Sequence, residues 1–198
     1  MRARENPFRV ERLEALPFIF QMYDWPALDR RLAALSYRAA ILGRQGTGKT
    51  TLLLELSRRL RQQGSAVQII TVRRDERAEN LREVRHAYRR LGASDILCID
   101  GADGLPWPVW RAVRSGSRRL RGLIVTSHTR RLLPVLFFCR SDGSVLEQIL
   151  RHLLPTSVAE FSAQTPQLLR RHRGNIRNVL REMYDRYAEM NCSDTQVF

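Results

Sequence analysis

The residues Gly43-Arg44-Gln45-Gly46-Thr47-Gly48-Lys49-Thr50 satisfy every fixed position of G-x-x-x-x-G-K-[ST], which demands a glycine loop between a strand and the first turn of a helix. Gly43, Gly46 and Gly48 let the backbone turn tightly and aim successive N–H groups at one anion. Lys49 then reaches the β- and γ-phosphates of a polyphosphate. Thr50 holds Mg2+ through its hydroxyl, and the helix that starts there adds its dipole. Arg44, Gln45, Thr47 and Thr51 complete the phosphate-binding set. The flanks agree with this reading. Tyr37 to Leu42 is a short apolar run suited to a strand, and Leu52, Leu53, Leu56 and Leu60 recur at helical spacing before Gly64. Lys49 is the only lysine among 34 Lys plus Arg, which points to a need for a compact ammonium where the chain otherwise uses a planar guanidinium.

Upstream, residues 1–24 form an irregular apolar segment around Phe8 and Phe18, which either walls the base of a bound nucleotide or packs on the core. Asp24 can cap a helix from about Pro26 with Leu28, Leu32 and Leu35 on its buried face. Downstream, Ala66 to Val72 reads as a second strand. The helix after it carries an apolar stripe of Leu81, Val84, Tyr88 and Leu91. Arg82, Arg85 and Arg89 share another of its faces, read as solvated, with phosphate binding as the alternative.

Ile96-Leu97-Cys98-Ile99-Asp100 is an apolar strand ending in a carboxylate, a Walker B pattern that sets Asp100 opposite Thr50 as a second Mg2+ group. Gly122 to His128 is the next strand. Its polar tip offers Ser127 and His128 as groups that sense a γ-phosphate or orient water. Val135 to Cys139 is expected as a fifth strand, Gly143 to Leu153 and Ser157 to Arg171 as helices. From Asn175, positions Ile176, Val179, Leu180, Met183, Tyr187 and Met190 give an amphipathic final helix with Arg177 in its first turn.

A chain of 198 residues with 43% hydrophobic content can fill one domain core. The first residues lack the apolar run of a secretory signal, and no stretch is long enough for a membrane span. Three cysteines without metal-ligand spacing read as reduced thiols, and a cytoplasmic location is expected. The net charge of +14 attracts polyanions, DNA or RNA foremost. The competing explanation is an arginine-rich coding bias spread along the chain.

Taken in order, the loop at Gly43–Thr50, the strand Ile96–Asp100, the tip Thr126–His128 and the segment Gly174-Asn175-Ile176-Arg177 make the chain resemble a small P-loop ATPase of the AAA+ type. The ATP-binding subunits of transposition and DNA-loading systems are similar in this respect. The resemblance implies an α/β, three-layer P-loop NTPase fold with a mainly parallel five-stranded sheet and a small C-terminal helical lid. It divides the chain into an N-terminal segment and helix packed on the core (1–36), the NTPase core (37–140), the lid (141–190) and a tail (191–198). The Asp strand is expected beside the loop strand, and Thr126–His128 as sensor 1. Arg177 is expected as a sensor 2 arginine that reaches the γ-phosphate.

The implied activity is Mg2+-dependent ATP hydrolysis by a motor or switch, with Lys49, Asp100, Asp103, His128 and Arg177 around the reacting phosphate. The alternative is a hydrolysis-poor regulatory module that holds ATP and recruits a protein partner. It arises because Gly101 stands where relatives carry a water-activating Glu, leaving Asp103 as substitute. Relatives often form oligomers in which a neighbour supplies an arginine finger. Here Arg114, Arg118, Arg119, Arg121, Arg130 and Arg131 all fall in that region.

Overall fold

A computed structural model describes residues 6–21, 23–73, 75–129, 132–154 and 163–193. The chain divides into two compact units. One comprises Met22–Arg44 with Gly48–Cys139, the other Met1–Gln21, Gln45–Thr47 and Arg140–Phe198.

The larger unit is built on strands β1 (Arg38–Gly43), β2 (Val67–Thr71), β3 (Ile96–Asp100), β4 (Gly122–Ser127) and β5 (Val135–Cys139), in the spatial order β2-β3-β4-β1-β5. Every pairing is parallel. Parallel neighbours need crossover helices, which cover both faces of the sheet and explain why these strands read as unbroken apolar runs. Here the crossovers include α3 (Lys49–Gln62), α4 (Arg77–Arg90) and α5 (Trp107–Gly116). Alternate residues face opposite sides. Leu97 and Ile99 of β3 join a core with Val84 and Ala87 of α4 and Trp110 and Val113 of α5. Cys98 faces the other way, where its Sγ meets Ser57 Oγ of α3 at 3.4 Å.

This order corrects one expectation. The Asp strand does not lie beside the loop strand, because β4 is inserted between them, paired to β1 on one edge and β3 on the other. The insertion brings the tip of β4 next to Asp100, with consequences for the site. Helix α2 (Trp25–Ala34) precedes β1. Asp24 accepts from Ala27 N at 2.7 Å as its cap, and Leu28 and Leu32 are buried while Leu35 is only half-buried. Helix α5 was not anticipated at all.

The smaller unit holds α1 (Val10–Glu14), α6 (Gly143–Leu153), α7 (Thr165–Arg171) and α8 (Ile176–Ser193). Its core gathers Phe8, Leu146, Leu150, Leu168, Val179 and Met183. Residues before α1 belong here because Asn6 Nδ2 donates to Tyr184 O at 3.0 Å and the Phe8 ring meets Tyr187 edge-on. Asp142 caps α6, accepting from Ser144 N at 3.0 Å and Val145 N at 3.2 Å. Burial pushes its carboxyl up, but hydrogen bonds from Gln21 and Ser144 prevail and hold it below the usual carboxylate range. Glu182 of α8 also titrates low, chiefly through its bond to His172 and then through Arg186 and Arg171. The helix expected from Ser157 begins at Thr165, and 155–162 lie outside the described residues, as do 194–198 of the expected tail. Among the described residues no helix is long and apolar enough to cross a membrane.

Candidate functional site

The phosphate-binding loop runs from the end of β1 into α3, with Gly43 as the last strand residue and Lys49 as the first helical one. Lys49 Nζ donates to the carbonyls of Gly43 at 2.9 Å and Arg44 at 2.7 Å, so the ammonium is folded onto its own loop. Thr47 is buried; Arg44, Gln45 and Thr51 are exposed. Gly46 adopts φ +75°, and a Cβ there would fall 1.8 Å from Asn175 Oδ1. No side chain fits that position while Asn175 stays where it is. Asn175 Oδ1 also accepts from Asn178 N at 3.2 Å, which begins α8.

Opposite the loop helix, Asp100 ends β3 and bonds on both oxygens. Oδ2 accepts from Thr50 Oγ1 at 2.9 Å and Oδ1 from Thr126 Oγ1 at 2.5 Å. Thr126 in turn accepts from Gly101 N at 2.8 Å and is buried. A chain of groups therefore joins the loop helix, β3 and β4: Thr50, Asp100, Thr126, Gly101 N–H. The sequence offers Thr126–His128 as the tip of β4, with Ser127 and His128 as its candidates; the structure gives Thr126 the contact to Asp100. Ser127 is instead fully buried and closes a turn, accepting from Thr129 N at 3.0 Å. The missed signal was strand order. Ile99 pairs with Val125, so the residues one step on, Asp100 and Thr126, are side by side once β4 is the neighbour.

His128 Nδ1 lies 3.0 Å from Gly43 O; a carbonyl only accepts, so Nδ1 carries the proton. Asp103, in a short 3-10 turn after β3, accepts from His128 N at 3.3 Å. Lys49, Thr50, Asp100, Thr126, Asp103 and His128 thus converge at the carboxyl ends of β1, β3 and β4, where parallel α/β sheets bind ligands. Arg177 is exposed at the start of α8 and has no hydrogen-bond or ion-pair partner among the described residues.

The donor set fits Mg2+ arriving with a polyphosphate. Thr50 and Asp100 supply hard oxygens, and among the described residues no group of three or more His, Cys, Asp or Glu could hold an ion unaided. Magnesium typically takes one or two protein oxygens and completes its shell with phosphates and water. Cys98 and Cys139 are free and buried, which pushes their thiols up to about 11 and about 12 and leaves them unreactive at neutral pH.

Gly101 is more than a missing carboxylate. Its φ of +77° is left-handed, and a Cβ would sit 3.1 Å from Val72 O. A side chain there costs ~1–2 kcal/mol for the backbone alone. We expect Gly101→Glu to lower Tm by about 2–8 °C with no gain in ATP turnover. The Gly101→Ala variant should show the same Tm loss, since strain and not charge is its source. Calorimetric melting beside a phosphate-release assay checks both.

Of the six arginines in the region where a finger could fall, none of which the sequence singles out, Arg121 is engaged by Ser65 Oγ at 2.8 Å and the Tyr37 ring, and Arg119 lies over the Tyr88 ring. Arg114 and Arg118 are exposed, and Arg130 and Arg131 lie outside the described residues.

No protein-family model matches the sequence, and no curated protein matches it. Solved structures do. A RuvB variant of Thermotoga maritima superimposes with a TM-score of 0.56 over 90% of this chain and 65% of its own, at 17% identity. The replication initiator DnaA, bound to AMPPCP and single-stranded DNA, gives a TM-score of 0.54 over 91% of this chain and 64% of its own, also at 17% identity. The chain thus spans somewhat less than two thirds of each. Parallel sheet, strand order and loop position together give this chain the P-loop NTPase fold seen in these AAA+ ATPases.

Proposed function

We propose that the chain binds MgATP at Gly43–Thr51 and hydrolyses it as a nucleotide-driven motor or switch linked to nucleic acid, in the manner of ATP-binding subunits of transposition and DNA-loading systems. The observation that carries this reading is the Thr50–Asp100–Thr126 chain across three elements. Lys49 leaves its loop carbonyls for the β- and γ-phosphates, the same charge-assisted contact made to a stronger acceptor. Thr50 and Asp100 would hold Mg2+, which would supply positive charge to the phosphates. Thr126 holds the Asp100 carboxylate in place. Asp103 is the base for the attacking water, and His128, oriented by Gly43 O, is the sensor of the γ-phosphate. Arg177 is assigned the sensor 2 role on its motif alone. ATP, a nucleic acid, and either further copies of the chain or a protein partner complete the assembly, in the cytoplasm.

Gly101 favours a second reading, the hydrolysis-poor ATP-binding module that recruits a protein partner, because it carries no carboxylate and its left-handed backbone disfavours the usual glutamate. The two separate by experiment. MgATP turnover is measured with and without DNA against Lys49→Ala as blank, beside Asp103→Asn. The first reading predicts turnover above the blank, raised by DNA, with Asp103→Asn keeping ATP affinity and losing ~10²–10⁴-fold in rate. Tight binding without turnover in either condition selects the second. Turnover equal in Asp103→Asn and wild type removes Asp103 as the base.

A further inference from the structure

More than half of the net charge sits in one stretch: from Gly104 to Ser141 the sequence holds eight arginines and no Asp or Glu. Within it, Trp107, Arg111 and Arg114 of α5, with Arg118 just beyond, recur at the spacing of one helical face, and all four are exposed. Trp107 leaves 61% of its surface in water. Pro106 and Pro108 bracket it on the first turn of α5, so its backbone is fixed by two prolines. Together with Trp110 and Ser115, these residues line a depression of about 310 Å³.

Two further facts mark this face as unfinished. Among the described residues none of Arg111, Arg114 and Arg118 has an acidic partner, whereas Arg171 and Arg186 both pair with Glu182. Trp110, only 1% exposed and in the wall of the depression, has an indole Nε1–H with no acceptor. A buried donor left unmade costs ~1–3 kcal/mol. Three like charges in a row beside a bare indole also repel one another with nothing to offset them. A small anion meets guanidiniums but offers nothing to stack on an indole. A polyanion with flat apolar faces matches the whole stripe: phosphates for the arginines, a base for the indole. Duplex DNA keeps its base faces stacked inside, and an acidic polypeptide offers a flat face only where an aromatic residue interrupts its carboxylates, whereas a single strand alternates the two at every nucleotide.

We infer that the Trp107–Arg118 face of α5 binds single-stranded nucleic acid, one base stacked on Trp107 and backbone phosphates on Arg111, Arg114 and Arg118. This gives the nucleic-acid link of the proposed function a surface, and it does not depend on the nucleotide site.

The test is fluorescence anisotropy of a labelled oligothymidylate with the nucleotide-free 198-residue chain, so that a failure of ATP binding leaves the result untouched. Arg111→Ala/Arg114→Ala/Arg118→Ala should flatten the log affinity against log salt slope by about 2, as loss of three phosphate contacts to a single strand requires. A charge-matched control, Arg12→Ala/Arg170→Ala/Arg181→Ala, should leave that slope unchanged. Trp107→Ala should weaken binding on the order of tenfold at an unchanged salt slope. Circular dichroism verifies that each variant is folded. Equal losses in the two triple variants would reduce the effect to bulk charge and overturn the inference. So would no binding to the oligonucleotide, preference for duplex with Trp107→Ala silent, or a triple variant that loses only self-association or capture of an acidic peptide.

Discussion

Lys49→Ala should lower MgATP affinity roughly 30- to 5000-fold, the ~2–5 kcal/mol that removing one partner of a buried, hydrogen-bonded charge contact costs. Its Nζ already bonds two carbonyls of the loop, at Gly43 and Arg44. The ammonium gives up these bonds when it turns to the nucleotide, so fluorescent-nucleotide titration reads the contact to phosphate less the two loop contacts. A modest fall in Tm accompanies the change. Unchanged affinity would remove the loop as the nucleotide site, whatever the fold.

Asp100→Asn carries the second large effect. The amide keeps the shape but replaces one acceptor with a donor, and both oxygens of Asp100 now accept from threonine hydroxyls. Thr126 already receives the Gly101 N–H, so an Asn Nδ2 turned that way would bring a second donor to the same oxygen. We expect ATP affinity in EDTA to change little and the increment supplied by Mg2+ to be lost. Any turnover should fall ~10²–10³-fold, as for other groups that stabilise transition-state charge. Parallel titrations with Mg2+ and with EDTA check this. A Mg2+ increment equal to wild type would take Asp100 out of the metal site.

These two residues show how far sequence carries. The positions of Lys49, Thr50 and Asp100 were legible because they rest on local pattern: a glycine loop, a helix start, an apolar run that stops at a carboxylate. Strands Ile96–Asp100 and Val135–Cys139 and helix Gly143–Leu153 coincide with what periodicity predicts. Strand order was not legible. A strand covered on both faces reads as apolar whoever its neighbours are, so nothing local says that β4 lies between β1 and β3. Within the Thr126–His128 tip, local pattern does not single out Thr126, since its place beside Asp100 exists only once β4 is inserted.

Helix α5 is absent from the sequence reading; Pro106 and Pro108 stand at its start, where proline is tolerated. With that helix unseen, Trp107, Arg111 and Arg114 could not be placed on one face, and the basic charge seemed evenly spread. Gly101 was visible as a departure from the family pattern. Its left-handed φ and the nearness of Val72 O belong to the fold.

The measurement that bears most directly on the central claim is calorimetric titration of MgATP into the wild-type chain, repeated with the metal chelated. The account predicts one saturable site per chain that weakens when Mg2+ is removed, with a nucleotide-dependent rise in Tm. No saturable heat and no shift in Tm would contradict it, and Gly43–Thr50 would then be a strand-to-helix turn without a ligand.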